Sequence, residues 1–146
     1  MNKSKFFPDA FYRVSVRGLM RDGDKFLLGH HHDGDWETFG GGLDFGENLH
    51  QALKREILEE TGCDVPYISK QPILALPHIV HNLRGMDWFY NFPIYYEVIF
   101  DISKFNSSLQ YSEIKWFTLE EIQSLKLFEG EEGIKNGLKS LIKNNE

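Results

Sequence analysis

The stretch from Gly41 to Cys63, GGLDFGENLHQALKREILEETGC, decides how this chain is read. Asn48 can accept from an exposed amide at a helix start, and Gln51, three residues on, can reach back to complete a capping box. The helix should run to Gly62. Placed at about 100° per residue, Leu49, Ala52 and Leu53 form an apolar stripe, which Glu56 and Glu60 continue, with Glu59 beside them. Like charges at this spacing destabilise a helix, and carboxylates buried without partners cost more still. Three convergent oxygen donors fit a hard divalent cation, Mg²⁺ or Mn²⁺, better than zinc or copper. A solvated acidic face is the ordinary alternative for a Glu-rich helix. Leu58, nearly opposite Leu49, weighs against it by suggesting that both sides of the helix are covered.

Upstream, Phe11 to Met20 alternates as a strand, with Val14, Val16 and Gly18 on one side and Arg13, Ser15 and Arg17 on the other. Asp22-Gly23-Asp24 supplies a hairpin turn into a second strand, Lys25 to His31. A glycine-rich loop is expected from about Asp33 to Gly46. Downstream, Ile73 to His81, Trp88 to Ile102 and Ile114 to Thr118 read as strands. A short helical segment to about Leu125 follows, then a longer helix carrying Ile134, Leu138, Leu141 and Ile142. Strands flanked by helices imply an α/β layered fold, and the 146 residues suit a single domain spanning 1–146.

Composition narrows the partners. Sixteen Lys and Arg against 22 Asp and Glu give a net charge of −6, which repels a long nucleic acid but admits a small phosphorylated ligand when a cation intervenes. The lone cysteine, Cys63, forms no internal disulfide and reads as a small buried hydrophobe; with no zinc-like Cys/His spacing, a reducing compartment, the cytoplasm, is expected. Neither a signal peptide nor a membrane span is legible. His30, His31 and His32 sit on one strand and point to alternate faces, so shared ligation is not expected.

Gly41, five residues, Glu47, seven residues, then Arg55-Glu56-Ile57-Leu58-Glu59-Glu60-Thr61-Gly62-Cys63 resembles the box of the Nudix hydrolase family. Every polar and glycine position of that box is present, and Trp36 lies upstream as in the family. Two positions depart from it: Phe39 stands where the family usually has proline, leaving the loop less restrained, and Cys63 takes the final aliphatic place. The resemblance implies an α/β/α sandwich with a mixed β-sheet. It implies Glu56, Glu59 and Glu60 as metal ligands, the Gly40 carbonyl as a further one, Glu47 and Arg55 as supporting groups, and Gly41, Gly46 and Gly62 as points of backbone freedom.

The chemistry so implied is water attack on phosphorus in a nucleoside diphosphate linked to another moiety, such as a nucleoside triphosphate, ADP-ribose or a nucleotide sugar. The general base is sought first among the box glutamates, Glu59 and Glu56, and outside the box at Glu113, for which a surface carboxylate is the bland alternative. Arg13 and Arg17 are candidates to hold phosphate, outward-facing arginines on an edge strand being as good a reading. Phe89, within an aromatic run from Trp88 to Tyr96, offers a stacking surface for the rest of the substrate, although most of that run suits a core. Two other classes compete: a nucleotide-sensing module without turnover, and an isoprenyl-diphosphate isomerase, whose members are usually longer and carry an altered box. Since many members of the family pair, a homodimer is among the expectations.

Overall fold

The computed structural model describes residues 11–83, 86–128 and 131–143, without the side chains of residue 11 and of residues 81–83 and 86–89. The stacking expected of Phe89, and of Trp88 in the same aromatic run, lies outside the described residues.

Strand β1 (Phe11–Leu19) leads through β2 (Arg21–Asp22) and the turn at Gly23 into β3 (Lys25–His31). The stretch expected to be a glycine-rich loop instead contains two short strands, β4 (Trp36–Glu37) and β5 (Phe39–Gly42). β4 pairs antiparallel with β3, and β5 pairs antiparallel with β1, Val16 opposite Gly41 and Arg17 opposite Gly40. Tertiary pairing here overrides the poor strand propensity of three successive glycines.

Helix α1 spans Leu49–Thr61. Its capping box is formed as expected: Asn48 Oδ1 accepts from the Gln51 amide at 2.8 Å and Gln51 Oε1 accepts from the Asn48 amide at 3.0 Å. Gly62 ends it in the left-handed conformation, its amide donating to the Leu58 carbonyl at 2.9 Å.

β6 (Tyr67–Ile68), β7 (Leu74–Ala75), β8 (His78–Leu83) and β9 (Met86–Ile99) follow. The strand expected over Ile73 to His81 is thus split at Leu76-Pro77, where proline has no amide to give the ladder. β9 stops at Ile99, short of Ile102, which instead opens a single 3₁₀ turn to Lys104 capped by Asp101. β10 (Tyr111–Thr118), α2 (Leu119–Gln123) and α3 (Ile134–Lys143) complete the order.

One sheet runs β5-β1-β9-β6, with β7 and β8 also on β9, and the other runs β10-β3-β2, with β4 on β3. The β1–β9 pair is parallel and the remaining pairs are antiparallel, so the sheet is mixed as expected. Alternation along the strands sends side chains to two cores. Val16, Leu27, Tyr96 and Val98 pack with Ala52, Leu53 and Ile57 of α1, and Cys63 is buried with them. Leu19, Phe26, Leu28 and Tyr95 face the other way, onto Ile122, Ile134 and Leu138 of α2 and α3. Helices therefore cover both faces, an α/β/α sandwich. Leu58 is 46% exposed, so α1 is covered on one side only.

Candidate active site

The three box glutamates meet three different environments. On the buried side of α1 the apolar stripe passes through Ala52, Leu53 and Ile57 and ends in Glu60, which is 3% exposed. Glu60 Oε2 accepts the Gly40 amide at 2.9 Å. Burial pushes its carboxyl well above the ordinary carboxylate range, and the charges of Glu37 and Glu56 add to this against Arg17 and the Gly40 amide. Glu56 is half-buried under the glycine loop: a Cβ on Gly41 would stand 2.5 Å from Glu56 Oε2, so the loop lies directly on that carboxylate. Glu59 turns outward, its side chain 59% exposed.

Arg55 ties this group together. Its Nη1 donates to Glu56 Oε1 at 2.9 Å and to Glu59 Oε2 at 3.3 Å. On its other side Nε and Nη2 grip Glu47 at 2.5 and 3.0 Å, and Nη2 also donates to the Gly42 carbonyl at 3.0 Å. Asp44 adds an ion pair at 3.4 Å. Bonds from Glu47, and then from Glu56, raise the Arg55 pKa, and the Arg55 bond lowers that of Glu47. The loop from Gly42 to Glu47 is thereby fastened to the helix that follows it.

Among the described residues no three Asp, Glu, His or Cys side chains are gathered around one point as a metal cluster would be. The donor set nevertheless fits a hard divalent cation. Glu56, Glu59 and Glu60 offer only oxygen. Glu60 is a buried carboxylate whose one partner besides distant charges is an amide, and a cation would relieve its desolvation. The Gly40 carbonyl, an expected further ligand, accepts from Arg17 Nη1 at 2.5 Å, one of the two lone pairs a carbonyl has.

Arg17 does not lie on an open strand face. It is buried in a cluster that the sequence did not announce, with Glu37 Oε2 at 3.3 Å and Glu131 Oε1 at 3.0 Å. Glu37 Oε1 also receives Tyr111 Oη at 2.6 Å and pairs with His31 Nε2 at 2.7 Å. Against burial, which raises it, Arg17, His31 and Tyr111 bring the Glu37 carboxyl below its ordinary value, while the Glu37 bond raises His31. Glu131 sits just ahead of α3 and is lifted by burial. A buried acid is indistinguishable in sequence from a surface one, and only the position of Glu37 beside Trp36 could have hinted at it.

The other candidates disperse. Arg13 lies on the same strand as Arg17, its guanidinium filling the space a Cβ on Gly42 would take. Glu113 is on β10 with its side chain 56% exposed, paired with His30 at 3.3 Å. The three adjacent histidines diverge, His30 towards Glu113 and His31 towards Glu37 from β3, whereas His32 lies not on the strand but in the turn past its end, towards the Leu109 carbonyl at 3.0 Å. Phe89 contributes a β9 backbone position, opposite Phe11 and Val80. Among the described residues no helix is long and apolar enough to cross a membrane.

Solved structures with the same architecture include a MutT protein from Methanosarcina mazei Go1, 19% identical with a TM-score of 0.68, covering 94% of this chain and 98% of that one. A MutT protein from Bacillus halodurans matches at 19% identity and a TM-score of 0.66, over 89% of this chain and 82% of its own. An ADP-ribose pyrophosphatase from Streptococcus suis 89-1591 matches at 17% identity and a TM-score of 0.64, over 91% of each chain. The family model of the NUDIX domain matches residues 11–139. With that match spanning both cores and the whole glutamate helix, the chain belongs to the NUDIX domain family.

Proposed function

We propose that this chain is a metal-dependent pyrophosphohydrolase that cleaves the phosphoanhydride bond of a nucleoside diphosphate linked to a second moiety, with Mg²⁺, or Mn²⁺ in its place. The observation that carries the reading is the acidic face of α1: Glu60 buried against the Gly40 amide, with Glu56 and Glu59 drawn to one guanidinium beside it. Glu56, Glu59 and Glu60 would hold the metal, and the Gly40 carbonyl is a fourth candidate. When bound, the metal supplies charge to the phosphate oxygens and makes a water easier to deprotonate.

The chain's own groups then have separable tasks. Glu59 is the exposed carboxylate of the three and accepts the proton of the attacking water. Arg55 orients Glu56 and Glu59, and Glu47 holds Arg55. Arg13, whose guanidinium lies beside Gly42, is the arginine proposed to meet a substrate phosphate, and Phe89 the ring proposed to stack on the rest of the substrate. Arg17 lies in the buried cluster with Glu37 and Glu131, and Glu113 pairs with His30 on β10. The MutT and ADP-ribose pyrophosphatase relatives support a small nucleotide-linked substrate.

A panel of nucleoside triphosphates, dinucleotides, ADP-ribose and nucleotide sugars, assayed with Mg²⁺ and with Mn²⁺ for released mononucleotide or phosphate, tests this. Turnover of at least one compound, lost on chelation, is the expected result. Tight binding of one compound without turnover of any would replace hydrolysis by the sensing alternative.

A further inference from the structure

Residues 38–40, which end at Gly40 with its amide on Glu60 and its carbonyl on Arg17, are held from two sides by ionisable groups buried in the protein. From β1, Arg17 donates to the Gly40 carbonyl at 2.5 Å, to the Thr38 carbonyl and to Thr38 Oγ1 at 3.0 Å. From the segment ahead of α3, Glu131 accepts the Thr38 amide at 2.9 Å and the Thr38 hydroxyl at 2.5 Å. Glu131 and Arg17 also contact each other at 3.0 Å. Thus both backbone groups of Thr38, its hydroxyl and the Gly40 carbonyl are all spoken for by two side chains.

Burying such ions is costly, and well-packed apolar residues in their place are often as stable. Stability alone is a weak reason for this arrangement, and the geometry offers another. The Gly40 amide, which lies between the clamped Thr38 and the clamped Gly40 carbonyl, donates to Glu60 Oε2. Gly40 has φ of +134°, outside the range of side-chain-bearing residues, and Phe39 cannot restrict its own φ as a proline would. The loop's local sequence therefore does not fix the Gly40 peptide, whereas the two buried side chains do.

We infer that Glu131 and Arg17 are positioning residues: they clamp residues 38–40 so that the Gly40 amide holds the Glu60 carboxyl in the geometry that accepts the cation. No phosphate contact is assigned to either, and Arg17 is thereby moved from a candidate substrate ligand to a support. The inference rests on the proposed metal reading, and it makes a segment 93 residues from Thr38 part of the metal site.

Mn²⁺ binding measured by the loss of the free-ion electron paramagnetic resonance signal, without substrate, tests it. The variants are Glu131→Gln, Thr38→Val, which removes only the hydroxyl bonds, and Leu138→Val, which disturbs the packing of α3 away from the clamp. Glu131→Gln should weaken Mn²⁺ about tenfold, within the range seen when groups supporting metal ligands are lost, and Thr38→Val by less. The Mg²⁺ concentration giving half-maximal rate should rise in parallel, and Leu138→Val should lower the melting temperature without moving either value. Unchanged Mn²⁺ affinity in Glu131→Gln and Thr38→Val, with normal binding by the parent, would overturn the clamp alone. The clamp is equally overturned if Leu138→Val weakens Mn²⁺ as much as they do. No Mn²⁺ binding by the parent would overturn the metal reading and the clamp with it.

Discussion

Arg55 and Glu47, eight residues apart, face each other as two flat groups joined by two bonds, Nε to Oε1 at 2.5 Å and Nη2 to Oε2 at 3.0 Å. This fork is what a guanidinium provides and an ammonium does not. Arg55→Lys keeps the charge but cannot hold Glu47, Glu56 and Glu59 together. A fall of about 10- to 100-fold in kcat/KM is expected, with a melting temperature close to the parent's. Steady-state kinetics beside calorimetry check it, and a parental rate in Arg55→Lys would remove the orienting role.

Glu59 and Glu60 should respond differently to amide substitution. Glu59→Gln changes an exposed group, so turnover is expected to be lost with little change in stability. In Glu60→Gln a buried carboxyl whose charged form is disfavoured by desolvation is replaced by a neutral group able to accept the same Gly40 bond. The metal-free variant should melt no lower than the parent, yet gain nothing from added Mg²⁺, whereas the parent gains. Melting curves with and without Mg²⁺ measure both effects. A full Mg²⁺-induced shift in Glu60→Gln would count against its assignment as a ligand.

Two neighbouring glycines give a contrast. An alanine at Gly41 would press on the end of the Glu56 side chain, which can swing aside. Activity should fall well below the parent's while stability barely changes. At Gly40 the added methyl meets the Val16 carbonyl and the backbone of Arg17, at a φ unsuited to any side chain, so Gly40→Ala is expected to destabilise by roughly 1–3 kcal/mol or more. Urea unfolding separates them, and equal stabilities would show that the β1–β5 contact yields more easily than its geometry indicates.

The His31–Glu37 pair sets a pH dependence above the ordinary histidine range. The Glu37 bond raises the His31 pKa above its ordinary value of 6.5, so the stability this pair contributes is present in full below about that pH. It is lost as pH rises through the raised value. Glu37, held low chiefly by Arg17 and His31 against burial, loses its contribution in a separate, acidic window as pH falls through its own lowered value. Melting temperature followed from about pH 6 to 9 should decline more in the parent than in His31→Asn. Parallel curves would show that the pair is silent.

Sequence made the site more legible than the scaffold that supports it. The capping box, the αL glycine and the acid-for-apolar exchange on α1 are local patterns, and each appears where the spacing puts it. β4 and β5 were not legible, because Gly40, Gly41 and Gly42 carry no side-chain alternation and become a strand only on meeting β1. The interruption at Leu76-Pro77 was readable in principle from the proline alone. Glu37 and Glu131 were missed for a different reason: their significance arises from meeting Arg17 across the fold, and no local spacing encodes that meeting.

The parallel pairing of β1 with β9 has a consequence in time. Parallel strands cannot be joined by a tight turn, and here every group assigned to the metal is carried by the crossover between them. During synthesis the residues of α1 are made long before β9 exists, so its acids await the strand that completes the sheet beneath them. Closing that loop is a long-range event, and such events slow folding. The growing chain is therefore expected to acquire its cation affinity late, after β9 has docked, and for Glu131, which follows β9, later still.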